Sequence, residues 1–307
     1  MDKGIVFAGT PTNAAVTLEE LAAQGFRISL VITRPDAPTG RKRVLTPSPV
    51  AEVAEKLGLP VVKTTKPTAA EIEAIKASGA ELGVVVAYGC ILSKAVLESL
   101  ELGWYNLHYS LLPKWRGAAP VQRAIMAGDR ETGVTLFKLD EGMDTGPLVS
   151  VAKTVIDAGE TAADLLGRLT SLGASLLAES LPSIQSGLAT LHDQLGEPTP
   201  APKISRAEAR IDWSQNARSI ECLIRGCNPE PGAWTTLGEQ PFKIHDAVAI
   251  ADPASELEAG EVRAGDWRVL VGTGSGLLLL KSVQPASKRA MAATEWARGL
   301  ASETRFV

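Results

Sequence analysis

The sequence predicts an α/β domain on a mostly parallel sheet, followed by a small β-barrel domain. Three observations carry this expectation. Strand-like and helix-like segments alternate through the first half of the chain, which is the order that makes a parallel sheet covered by helices on both faces. A stretch with three alternating prolines, Gly196-Glu197-Pro198-Thr199-Pro200-Ala201-Pro202, then interrupts the pattern and reads as an extended linker. Beyond it come short β-like runs separated by turn signals, as in a small barrel. With 307 residues and a hydrophobic fraction of 45%, the chain can bury one large core and one smaller one.

Taken in order, residues 4–8 form a short apolar strand that ends at Gly9-Thr10-Pro11. Residues 18–23 read as helix, 28–32 as a β-branched strand, 53–57 as helix and 61–62 as a brief strand. Residues 69–77 are helical, and 82–87 form a strongly apolar strand. Residues 104–110 read as a strand entering a loop, and 134–139 and 148–156 as further strands. Residues 161–186 form a long helix, with Leu165, Leu166, Leu169, Leu172, Leu176 and Leu177 at helical spacing. After the linker, 211–225 looks helical, and 234–236, 242–244, 267–271 and 277–280 look like strands. The expected division is 1–190, a linker over 191–208, and a barrel over 209–307.

The formal net charge of −4 argues against binding nucleic acid through overall charge, while leaving room for local basic patches. Cys90, Cys222 and Cys227 make no disulfide framework and lack metal-ligand spacing, so no metal is expected. The opening lacks a signal-peptide layout, and no apolar run approaches the roughly 18 residues of a membrane helix. A cytoplasmic, non-membrane protein is expected.

Period-two alternation places Asn106, His108 and Ser110 on one face at the end of a strand. Asp144 lies in Gly142-Met143-Asp144-Thr145-Gly146, where the glycines suit a tight turn close to a ligand. An amide and an imidazolium can both donate to a developing oxyanion. A carboxylate beside the imidazole favours its charged form. No nucleophile elbow is present, and Cys90 follows an apolar strand as a small buried residue would. The expected chemistry is direct transfer between two bound substrates. The chain lacks a dinucleotide-binding glycine fingerprint. The loop 34–43, with Arg41-Lys42-Arg43, reads either as a solvated surface loop or as an arm for a phosphate backbone. Lys203, Arg206 and Arg210 add charge at the start of the second domain.

The run Asn106-x-His108-x-Ser110-Leu111-Leu112-Pro113, with Arg116-Gly117-Ala118-Ala119-Pro120, Thr132-Gly133-Val134-Thr135 and the Asp144 segment, resembles the folate-dependent formyltransferases. Val6 to Pro11, Arg41-Lys42-Arg43, Ala209 to Trp213 and Asn228 to Trp234 look like the branch of that family acting on methionyl initiator tRNA. The likeness covers nearly the whole chain. It implies a Rossmann-like catalytic domain and an OB-like C-terminal barrel. It implies 10-formyltetrahydrofolate as donor, the α-amine of methionyl initiator tRNA as acceptor, and a role in translation initiation. Catalysis would fall to Asn106, His108 and Asp144. The folate would sit at Ser110, Leu111, Leu112 and Pro113, with Tyr88 and Gly89. The tRNA would meet Arg41, Lys42, Arg43, Lys203 and Arg206, and a monomer is expected. The sequence departs from the family pattern at Thr12-Asn13 and at Cys90. A sugar-nucleotide N-formyltransferase and a non-catalytic RNA-binding protein on an old enzyme scaffold are the alternatives. The basic loop and the intact trio weigh against them in turn.

Overall fold

The computed structural model describes residues 3–40, 42–252, 256–265, 267–300 and 304–307. The chain forms two compact units. The first comprises Met1–Ala118, Thr132–Thr154 and Leu166–Ala201. The second comprises Ala119–Glu131, Val155–Leu165 and Pro202–Val307.

In the first unit β1 (Gly4–Gly9), α1 (Thr12–Ala23) and β2 (Ile28–Thr33) are followed by a hairpin, β3 (Ala37–Thr39) and β4 (Val44–Thr46). Then come α2 (Pro49–Lys56), β5 (Val61–Lys63), α3 (Ala69–Ala77), β6 (Ala80–Val86), α4 (Lys94–Leu97) and β7 (Gly103–His108). The chain continues through α5 (Pro120–Met126), β8 (Glu131–Lys138), β9 (Leu148–Val155) and α6 (Ala162–Gln185). The sheet order is β5-β2-β1-β6-β7-β8-β9. Pairing is parallel from β5 to β7 and antiparallel between β7 and β8. Strands β1 and β6 are buried along most of their length, so they read as continuous apolar runs rather than as alternation.

Two glycines set close contacts around β7. Gly83 lies under the Trp104 ring, where a side chain would collide with the indole, and Trp104 Nε1 donates to the Val96 carbonyl at 2.7 Å. Gly173 lets α6 approach Leu107 of β7.

Two helix starts differ from the sequence expectation because polar caps govern them. α2 begins at Pro49, with the Ser48 hydroxyl accepting from the Ala51 amide at 3.0 Å. The helix expected over 211–225 is confined to α7 (Ala217–Gly226). Asn216 caps it, and Asp212 draws the preceding residues into a turn by accepting from the Ser214 amide and hydroxyl. The basic loop is also more ordered than expected. Its flanks pair as β3 and β4, and the Thr39 and Thr46 hydroxyls meet at 2.5 Å. The proline-rich stretch is extended, yet it is no free tether. Residues 199–201 hydrogen-bond with 113–116 on both sides of the strand-like path, including Arg116 N–H to the Thr199 carbonyl at 2.9 Å and Ala201 N–H to the Arg116 carbonyl at 2.6 Å.

In the second unit, β10 (Trp234–Leu237), β11 (Gln240–Ile250), β12 (Glu261–Ala264), β13 (Val269–Gly272), β14 (Leu277–Pro285), β15 (Met291–Ala292), α8 (Ala293–Ala297) and β16 (Thr304–Arg305) follow α7. The sheet runs β10-β11-β14-β13-β12-β16, with every pairing antiparallel. A bridge between Leu237 and Phe306 brings its two ends together, giving a nearly closed barrel-like sheet. Phe306 sits in its core, stacked on Trp213 at 5.4 Å and on Trp296 at 5.7 Å between ring centroids. Segments from earlier in the chain complete this unit. Helix α5 packs on α7 where Gly226 faces Met126 and the Gln122 carbonyl.

Candidate active site

The C-terminal ends of β1, β6 and β7 gather at one edge of the parallel sheet, the edge at which open α/β folds bind ligands. The Thr10 hydroxyl donates to the Tyr88 carbonyl at 3.0 Å and ties two of these ends together.

His108 is the last residue of β7 and is buried. Its Nε2 lies 2.8 Å from the Trp115 carbonyl oxygen. A carbonyl only accepts, so Nε2 carries the proton. Trp115 holds φ at +62°, a strained setting for a bulky residue, and it is this residue that presents the carbonyl. On the other side of the ring, Nδ1 is 3.8 Å from Asp144 Oδ2. Burial pushes the His108 pKa below the ordinary value; the Asp144 charge and the Trp115 bond act in the opposite direction. Burial thus favours the neutral imidazole, with Nδ1 facing the carboxylate. The carboxylate expected beside the imidazole is in place, and desolvation acts against the charged form that it favours.

Asp144 is at φ +54°, a left-handed setting that aspartate tolerates better than most residues. Its Oδ2 accepts from the Gly117 amide at 2.7 Å. Gln194 fixes the surrounding turn. Its amide nitrogen donates to the carbonyls of Asp144 at 2.8 Å and Gly146 at 2.9 Å. Its oxygen accepts from Arg116 Nη2 at 2.6 Å and Nε at 3.2 Å. Sequence reading missed Gln194, since one amide far along the chain leaves no local pattern.

Asn106 lies two residues before His108 on β7 and is half-buried. Its side-chain amide makes no hydrogen bond to a described residue. Ser110 is fully buried, and its hydroxyl donates to the Lys114 carbonyl at 2.6 Å. The Thr135 hydroxyl donates to the Ser110 carbonyl at 2.6 Å and accepts from Leu112 N–H at 3.3 Å. These bonds shape the turn over Ser110, Leu111, Leu112 and Pro113, in which Leu111 is the more exposed leucine. Tyr88 is buried, its hydroxyl donates to the Thr64 carbonyl at 2.9 Å, and burial pushes its phenol up to about 12. Gly89 is exposed at φ +80°, and its carbonyl accepts from Arg34 at 2.9 Å. Asn13 donates to the Tyr109 hydroxyl at 3.0 Å, which anchors the residue following the site histidine. Lys42, Arg43, Lys203 and Arg206 are exposed. Arg41 lies outside the described residues. Among the described residues, no group of three or more His, Cys, Asp and Glu is arranged to hold a metal. No helix of the described residues is long and apolar enough to cross a membrane.

An amide and an imidazole thus lie at the C-terminal end of a parallel strand, with the carboxylate of a turn beyond β8 beside the imidazole. Residues 3–181 match the family model described as Formyl transferase, and residues 203–301 match Formyl transferase, C-terminal domain. The methionyl-tRNA formyltransferase of Clavibacter sepedonicus is 48% identical over 97% of this chain and 98% of its own length. That of Paenarthrobacter aurescens strain TC1 is 46% identical over 99% of both. Among solved structures, an N-formyltransferase from Helicobacter canadensis, crystallised with folinic acid and dTDP-3-aminofucose, shares the fold with a TM-score of 0.67. It is 19% identical over 93% of this chain and 100% of its own. The chain belongs to the formyltransferase family and, within it, to the methionyl-tRNA formyltransferases.

Proposed function

We propose that this enzyme transfers the formyl group of 10-formyltetrahydrofolate to the α-amine of methionyl initiator tRNA, for translation initiation. The observation that carries the reading is the buried His108, its Nε2 bonded to the Trp115 carbonyl at 2.8 Å and its Nδ1 3.8 Å from Asp144 Oδ2. The near-full-length identity to enzymes named methionyl-tRNA formyltransferase supports this acceptor over a sugar nucleotide. The folate donor supplies an activated formyl carbon. Asn106 fits such a donor: its half-buried amide has an N–H to offer a formyl oxygen. Leu111, Leu112 and Pro113, with Gly89, offer apolar surface and backbone for the folate, and Ser110 and Tyr88 support that surface from beneath.

The amine attacks the formyl carbon, and the carbonyl oxygen takes up negative charge that Asn106 stabilises. His108 Nδ1 receives the proton that the amine loses, and Asp144 stabilises the resulting imidazolium. The same proton leaves Nδ1 for the donor nitrogen as the old C–N bond breaks, so charge and protons balance. In this assignment His108 supports the oxyanion through the proton it holds, rather than through Nε2, which Trp115 occupies. The proposed active form is a monomer, working in the cytoplasm without a metal. Lys42 and Arg43, with Arg41, and Lys203 and Arg206 are the proposed phosphate contacts. The test is incubation of purified protein with 10-formyltetrahydrofolate and methionyl initiator tRNA. Formyl-methionyl product is expected. Product only with an amino-sugar nucleotide would overturn the assignment.

A further inference from the structure

The end of β7 is less firmly held by the sheet than its middle. Pairing with β6 stops at Asn106, opposite Val85, while pairing with β8 continues to His108, opposite Thr135. His108 thus lies two residues past the last rung on one side. Its backbone is fixed by one neighbouring strand only.

Two helices supply a further hold. Gly173 of α6 admits the Leu107 side chain at close range. Tyr109, the residue after His108, is buried and reaches α1 and α6 together. Asn13 of α1 donates from Nδ2 to its hydroxyl at 3.0 Å. The hydroxyls of Thr17 of α1 and Thr170 of α6 bond to the same phenol group. Both threonines are buried, and both have spent their protons. Thr17 donates to the Asn13 carbonyl at 2.9 Å, and Thr170 to the Leu166 carbonyl at 2.7 Å. A hydroxyl has one proton and two lone pairs. The threonine oxygens can therefore only accept, and the phenol has a single proton to offer them. Of these side chains, Asn13 alone gives the phenol oxygen an N–H. Asn13 also falls where the sequence departs from the family pattern, at Thr12-Asn13.

We propose that Asn13 and Tyr109 are positioning residues: their hydrogen bond ties the end of β7 to α1 and so sets His108 against the Trp115 carbonyl and Asp144. Neither residue takes part in the proton transfers described above. The two act as one unit, because each is useless to His108 without the other. The importance of placing His108 rests on the function proposed above.

The test uses wild type, N13A, Y109F, N13A/Y109F and the control S180A. Tyr109→Phe keeps the ring and removes only the oxygen. The control removes another buried hydroxyl of α6, one bonded to Ser150 and to the Leu176 carbonyl. The first readout needs no substrate. The chain has three histidines, so the His108 ring N–H held by Trp115 can be assigned by NMR. Its exchange with solvent should quicken in N13A, Y109F and the double variant, and stay as in wild type in S180A. The second readout is kinetic. Each single variant should lower kcat about tenfold, with KM unchanged for 10-formyltetrahydrofolate and for methionyl-tRNA. The double variant should lose no more than the larger single loss, since all three break one bond. Wild-type exchange in folded N13A and Y109F overturns the proposal, whatever kcat does. An equal kcat loss in S180A makes the anchor a matter of stability alone and overturns it too. So do additive losses with a raised KM for methionyl-tRNA in N13A, which would put Asn13 against the acceptor. If Y109F does not fold, N13A at its half-buried position decides by the same readouts. The exchange measurement stands even if wild type forms no formyl-methionyl product, so failure of the formylation reading and failure of this one are distinguishable.

Discussion

At the level of single residues, the site depends on which groups are charged and how they are held. Asn106→Ala should lower kcat on the order of 10²–10³-fold, the effect of losing one oxyanion donor. Near-normal turnover in a folded variant would remove it from the mechanism. His108 sets the pH dependence. Its folded pKa lies below the ordinary 6.5 because burial disfavours the cation. Above 6.5 both folded and unfolded chains carry a neutral imidazole there. As pH falls below 6.5 the unfolded state takes up the proton first, so folding stability is lost from that point down through the lower folded pKa. The proton-accepting Nδ1 should also keep kcat level across neutral pH, with an acidic limb only below 6.5. Asp144→Asn removes a charge that raises this pKa, so the limb of the remaining activity should move to lower pH; movement upward would contradict the coupling. Gln194 acts at one remove, as a positioning residue. Gln194→Ala should reduce kcat by about 10²-fold with little change in the donor KM. Gln194→Glu should not rescue it, because a carboxylate can accept from Arg116 but cannot donate to the carbonyls of Asp144 and Gly146. Asn106, His108 and Asp144 are legible in the sequence because strand alternation and flanking glycines are local signals. Gln194 and the Trp115 carbonyl are not, because what they do is fixed by tertiary folding.

Among the elements, the parallel strands are the most legible, since burial on both faces turns them into apolar runs such as Gly4–Gly9 and Ala80–Val86. Helix ends are less so. Ser48 and Asn216 set them through single hydrogen bonds that hydrophobic spacing does not register. The β3–β4 hairpin reads as a loop in the sequence because its residues are Pro-rich and exposed, so no buried face gives it a period. Its tip carries the densest cations in the chain. Replacing Arg41, Lys42 and Arg43 with Ala should raise KM for methionyl-tRNA and flatten its salt dependence, by about 0.7–0.9 in slope for each phosphate left without its cation, with the donor KM unchanged. Identical salt dependence in both proteins would leave the hairpin a surface feature.

For the whole molecule, sequence order and spatial grouping part company. The contiguous division at 191–208 is our proposal for where the chain passes between domains, yet the second unit also claims residues 119–131 and 155–165. Arg225 is buried and donates to the Glu160 carbonyl at 3.0 Å. Arg123 pairs with Glu208 at 2.9 Å and donates to the Pro202 carbonyl. A fragment of residues 203–307 would lack α5 and the 155–165 segment and leave buried Arg225 without the Glu160 carbonyl, at about 1–3 kcal/mol. It should melt without the cooperativity of the intact protein. A sharp transition with a native near-ultraviolet spectrum would show that the barrel needs neither segment. Nothing in hydrophobic patterning announces this, because the grouping runs through single contacts such as Gly226 against Met126 and Arg225 to the Glu160 carbonyl.

The strap of residues 199–201 has a consequence for how this chain can vary. Irregular segments usually absorb insertions and deletions freely, because no partner measures their length. Here the backbone at 199 and 201 is fixed to 113–116, and Gln194 is fixed to the turn that carries Asp144. The few residues from 194 to 201 therefore act as a ruler between two walls of the site. Adding or removing one residue there would shift the register of one attachment against the other and move Asp144 relative to His108. Length is thus under tight constraint in a stretch whose composition suggests the opposite.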